Sequence, residues 1–134
     1  MWFHCTLPVA AGQTEADPAE KILKLTYGVI TWISIPWDPG PNYMVKVRLF
    51  YHEHQIFPAN PDEAACGAGS VEGGKEHLEL FTHPIELKAK GYAPDTVHGH
   101  NIIILINVLP EIIAEPWKAM LGLLPRRIEW PIIT

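Results

Sequence analysis

Between Met44 and Phe57 the chain alternates in a way that fixes what it can become. Val45, Val47, Leu49 and Tyr51 point one way, and Lys46, Arg48, His52 and His54 point the other. Extended backbone turns a period of two into one apolar and one polar face, whereas a helix would scatter these side chains around its circumference. The pattern recurs. Ile22 to Tyr27 and Val29 to Ile35 are dense in β-branched and aromatic residues, Glu76 to Phe81 is a further candidate strand, and Ile85, Leu87 and Ala89 alternate with Glu86, Lys88 and Lys90. Asn101 to Leu109 is apolar on both faces over its middle, as a strand central to a sheet should be.

Turn signals separate these segments at short intervals. Pro36-Trp-Asp-Pro-Gly-Pro-Asn42 forbids continued pairing, and Ala59 to Lys75, with Pro61 and four glycines, makes a long connection with room for a short edge strand. Six to eight strands in 134 residues predict an all-β fold, a jelly-roll or immunoglobulin-like sandwich of two packed sheets.

The ends read differently. Residues 1–20, punctuated by Pro8, Gly12 and Pro18 without a sustained period, are expected to form an N-terminal arm outside a sandwich spanning residues 21–110. Residues 111–134 are expected to add a short helix and a tail. Ile112, Ile113, Trp117, Met120, Leu121 and Leu124 recur at near-helical spacing, Pro116 suits a first helical turn, and Pro125 stops the helix. The closing Arg126 to Thr134 is apolar enough to mark a contact surface, on a neighbouring subunit or on its own sheet.

Charge narrows the partners. Ten Lys and Arg against fifteen Asp and Glu give a formal charge of −5, and only Arg126 and Arg127 adjoin. A nucleic-acid groove needs a clustered positive field, so no nucleic-acid partner is expected. No membrane span is expected either, because Asn107 and Pro110 end the longest apolar run. The first residues lack the basic and apolar regions of a secretory leader, which predicts synthesis in a cytoplasm, with Cys5 and Cys66 as free thiols in no metal or redox spacing.

Chemistry-bearing constellations are few. His52 and His54, with His98 and His100, are two pairs at a spacing that puts both rings on one strand face, so facing strands would offer four nitrogens to a divalent ion. The same spacing opens the cupin motif, yet Gln55 to Ala59 supply none of the glutamate that motif requires, and Lys46 and Arg48 share the face. The leading expectation is therefore no metal and no cofactor. Ser34 and Ser70 lie outside any nucleophile elbow, and the glycines around Gly67 and Gly73 lack the context of a phosphate loop. No catalytic residue is assigned. Trp32, Trp37 and Trp130 would suit a stacking platform for sugar rings, the alternative being core packing or a protein interface.

Three stretches, Tyr27 to Pro36, Val45 to Pro61 (with His54-Gln-Ile-Phe-Pro58) and His98 to Pro110, resemble small β-sandwich proteins encoded among the virion genes of tailed phages. The resemblance implies a non-enzymatic structural role in the virion, as a capsid-decorating or minor capsid subunit made in the host cytoplasm. It also implies self-association or contact with a major capsid protein. Trp2, Phe3, Trp37, Trp117, Leu121, Trp130, Ile132 and Ile133 are the expected interface residues. A carbohydrate-binding module is the alternative, and a cupin-like metal-binding protein is a more distant one.

Overall fold

The computed structural model describes residues 1–60 and 62–122, which form eight strands and two short helices. In chain order the strands are β1 (Trp2–Val9), β2 (Ala19–Lys24), β3 (Gly28–Pro36), β4 (Lys46–Tyr51), β5 (His54–Phe57), β6 (Val71–Leu80), β7 (Glu86–Tyr92) and β8 (His100–Leu109). Helices α1 (Glu111–Ala114) and α2 (Pro116–Met120) follow. Two four-stranded antiparallel sheets result, in the orders β1-β8-β3-β6 and β2-β7-β4-β5.

The pairing has a simple logic. β1 pairs with β8, β2 with β7, β3 with β6 and β4 with β5, so the chain is one long antiparallel ribbon doubled back at the β4–β5 hairpin. The additional ladders β3–β8 and β4–β7 close the folded ribbon into two layers.

Alternation decides what lies between the layers. Leu7 and Val9 of β1, Ile30, Ile33 and Ile35 of β3, Val47 and Leu49 of β4, Leu87 and Ala89 of β7, and Ile102, Ile104, Ile106 and Val108 of β8 are buried in one continuous core. Each of the larger ones contributes roughly 1.5–3 kcal/mol of burial against the chain entropy it gives up. Against β8, Thr31 is an extra residue, a bulge that keeps Ile30 and Ile33 on the core face although they are three apart, and against β6 the register shifts at the same level with the extra residue on β6, at Glu76–His77. Gly73 of β6 meets a separate demand: its φ is +101°, and a Cβ there would stand 2.2 Å from the Ile33 carbonyl oxygen.

Three expectations are corrected here. Residues 2–9 are not an arm: they form β1, paired along their length with β8, and Cys5, Leu7 and Val9 enter the core. The stretch from Met44 to Phe57 is not one strand, because His52 (φ 49°) and Glu53 (φ 67°) form a two-residue hairpin loop with both central residues left-handed. The single expected helix is two. Glu115 precedes Pro116, whose ring disfavours the helical region for the residue before it, and Glu115 sits at φ −131° between α1 and α2. Pro116 itself opens α2, the position in which a missing N–H costs nothing. The edge strand expected within residues 59–75 appears as the start of β6 at Val71.

Candidate interaction surface and its buried charge cluster

The two helices lie over one end of the outer face of the first sheet, where α1 packs on β3 and Val29 is fully covered. Two residues apart on β6, His77 and Glu79 point out of that same face toward the helices. From the helix side come Glu111 and Glu115, 3% and 2% exposed, and Lys118. The Lys118 ammonium reaches Glu79 Oε2 at 2.8 Å, Glu115 Oε1 at 2.8 Å and Glu111 Oε1 at 3.3 Å. His77 Nε2 meets Glu115 Oε2 at 2.7 Å. Tyr27 Oη donates to Glu111 Oε2 at 3.5 Å, and its ring stacks on Phe81, over which the Lys118 ammonium also sits at 4.9 Å.

Three carboxylates thus converge on one ammonium. Two buried carboxylates without a cation would be costly, so Lys118 compensates the desolvation of both. Burial alone pushes the Glu115 carboxyl up, but its contacts with Lys118, His77 and Glu79 outweigh burial and hold it below its ordinary range. Contact with Glu115 and Glu79 keeps Lys118 protonated far above the ordinary lysine range. The arrangement is a clasp. It ties α1 and α2 to β6 through Glu79 and His77, and to Tyr27 just before β3, with directed contacts.

What the clasp holds in place is apolar and exposed. Ile113 is 53%, Trp117 49%, Met120 86% and Leu121 68% exposed. Trp117 and Leu121, two of the expected interface residues, therefore share a surface, with Trp117 beside the His77 ring at 6.3 Å. Trp2 is exposed and Phe3 half-buried, both at the start of β1 on the opposite edge of the sheet from β6. Trp130, Ile132 and Ile133 lie outside the described residues.

Trp37 is corrected outright. It is 4% exposed, its Nε1 donates to Glu72 Oε2 at 3.3 Å, and its backbone N–H donates to the Ser70 carbonyl at 2.8 Å. Gly67 lies against the ring so closely that a Cβ there would stand 2.4 Å from Trp37 Cδ1. The proline-rich loop folds back onto residues 67–72 and makes Trp37 a core residue, neither an interface anchor nor a sugar platform. Trp32 is half-buried on the outer face of the first sheet. On the outer face of the second sheet, the Phe50 ring is covered by the Lys90 ammonium at 5.0 Å.

The four histidines do not assemble. His52 is in the β4–β5 turn with Nε2 against the Thr82 carbonyl at 2.9 Å, His54 begins β5, His98 is an exposed loop residue, and His100 begins β8 in the other sheet. Among the described residues no three His, Cys, Asp or Glu side chains converge as metal ligands. Cys5 and Cys66 are unpaired thiols, and burial pushes the Cys5 thiol up. No helix among the described residues is long and apolar enough to cross a membrane. Comparison with protein-family models, with curated proteins and with solved structures finds no match.

Proposed function

We propose that this chain is a non-enzymatic structural subunit of a repetitive assembly of the virion kind, a capsid-decorating or minor capsid protein. In this reading the sandwich is a jelly roll: the orders β1-β8-β3-β6 and β2-β7-β4-β5, from a ribbon whose first strand pairs with its last, are those of two interlocked Greek keys. That fold serves capsid proteins and also lectins and cupins, so it admits the role without selecting it.

The observation that carries the reading is the rigid presentation of exposed apolar surface. Four large exposed apolar side chains, three on the two short helices and Leu121 just after α2, are uncommon on a lone soluble protein, and here an ion cluster anchored on two buried carboxylates holds the helices against the sheet. Preorganised apolar anchors of this kind, a tryptophan and a methionine among them, are what an interface needs at its centre. Their partner is a further copy of the chain or the shell protein beneath it. Sedimentation velocity over a concentration series tests this with the wild type and with Trp117→Ala combined with Met120→Ser. Association that weakens about tenfold in the variant supports the reading. A wild type that stays monomeric and binds no virus particle refutes it.

A further inference from the structure

We infer that the outer edge of β1 is a second self-association site, where residues Trp2 to Thr6 pair antiparallel with the same residues of another copy. The inference deepens the assembly reading above and rests on it.

The register of β1 shows which backbone groups are available. Met1 and Val108 exchange both hydrogen bonds, Met1 N to Val108 O and Val108 N to Met1 O, each at 2.8 Å. Hydrogen-bonded and non-hydrogen-bonded pairs alternate along an antiparallel ladder, so the odd residues Phe3, Cys5, Leu7 and Val9 bond to β8. The even residues Trp2, His4, Thr6 and Pro8 turn their backbone groups away from it. Two further facts agree. The Thr6 carbonyl accepts from Lys21 Nζ at 3.1 Å, which places it on the outer side. Pro8, which has no N–H, occupies a position where that N–H would have faced outward.

No strand among the described residues lies beyond β1, nor beyond β2 on the same side of the sandwich. A groove of about 360 Å³ runs between these two edges, lined by Phe3, Cys5, Thr6, Lys21 and Leu23 among others. Such an edge is a template for another strand. The groups it offers are self-complementary, since each of Trp2, His4 and Thr6 presents one donor and one acceptor. A two-fold axis at His4 sets Trp2 opposite Thr6 of the second copy and forms about six backbone hydrogen bonds. Centring on Cys5 instead would set Trp2 opposite Pro8, where the absent proline N–H leaves the longer overlap with no more than the same six bonds. Trp2, 60% exposed, then gains a neighbour on the outer face.

Size sets the strength. Five residues from each copy bury well under the roughly 800 Å² per partner of a standard interface, so the pair is micromolar or weaker and acts by repetition in an assembly. The Lys21 ammonium beside the edge weakens it further without blocking it, because a carbonyl oxygen carries two lone pairs.

Residue-resolved amide hydrogen exchange of the full chain, at micromolar and at millimolar concentration, tests the assignment without any substitution. The His4 and Thr6 amides are expected to slow by about tenfold or more on concentration, while Phe3 and Cys5, bonded to β8, are already protected at both. Equal exchange at His4 and Thr6 at both concentrations overturns it. His4→Pro supplies an independent arm: it removes an outward N–H and leaves the β1–β8 ladder intact, so the variant is expected to stay folded and to associate about tenfold more weakly. Association unchanged in folded His4→Pro but lost in the Trp117 and Met120 variant overturns this site and leaves the assembly reading standing.

Discussion

Replacing Leu7 by Ala separates a strand from an arm. An arm residue would tolerate the change, whereas Leu7 is 0% exposed, lies opposite Ile102 in the ladder, and crosses the layers to contact Gly91, where a Cβ would stand 2.8 Å from Leu7 Cδ2. The change removes three carbons, about 2.4 kcal/mol at ~0.8 kcal/mol per buried methylene, and the surrounding sheets close only partly around the gap. With the cavity contribution the loss is about 3–4 kcal/mol, within the range of buried leucine truncations. For a domain of this size that lowers the melting temperature by roughly 10–15 °C. Thermal unfolding followed by circular dichroism reads it directly. Trp2→Ala, on the exposed face of the same strand, is expected to cost under about 1 kcal/mol in the monomer and serves as control. A shift below about 3 °C for Leu7→Ala would refute the placement of β1 in the core.

Further outcomes follow from the clasp and the buried tryptophan. Gly67→Ala is expected to drive the Trp37 ring off its bond to Glu72 and to cost about 2–3 kcal/mol, with a red shift of tryptophan emission; an unchanged spectrum and stability would show that the loop yields freely. Because the Glu115 carboxyl is held below its ordinary value of 4.5, its contribution to stability is present above that pH and is lost as pH falls through the folded-state value. Lys118→Met leaves Glu79, Glu111 and Glu115 without the ammonium they share, so the midpoint of urea unfolding is expected to fall at neutral pH and to recover partly on moderate acidification, the reverse of the wild-type slope; parallel slopes would contradict the clasp. Trp117→Ala with Met120→Ser should change monomer stability by no more than about 0.5–1 kcal/mol, since both side chains are exposed, and a larger loss would assign them to the fold instead of to a surface.

Much of the sandwich is legible in the residues because burial and alternation coincide. Leu87 and Ala89 against Lys88 and Lys90, and the run through Ile102 to Val108, announce β7 and β8, and the β-branched run after Val29 announces β3. β1 hides because its outer face carries Trp2, so the alternation of Phe3, Cys5, Leu7 and Val9 with Trp2, His4, Thr6 and Pro8 does not read as apolar against polar. Pro8 strengthens the wrong impression, although an edge position explains it. The β4–β5 hairpin hides because His52 and Glu53 take left-handed backbone without the Gly or Asn that usually signals such a turn. The two histidine pairs fail for that reason and because His100 belongs to the other sheet. Trp37 misleads because a tryptophan among prolines reads as exposed, and only the fold-back onto Gly67 buries it.

The charge cluster joins residues 27, 77, 79, 111, 115 and 118, so most of it is set by tertiary structure. Part of it left a trace: Glu111, Glu115 and Lys118 recur at a spacing of four and three, one face of a helix, where an acid and a base meet. That face was the polar counterpart of the apolar one formed by Ile113, Trp117, Met120 and Leu121. Only the fold decides which face the sheet takes: the charged one, leaving the apolar one outward.

The sedimentation profile of the intact chain, from micromolar to millimolar concentration, alone and mixed with virus particles, tests the central claim most directly. A structural subunit is expected to shift toward larger species as concentration rises or to travel with the particle. One unchanging boundary of monomer size under all of these conditions would contradict it.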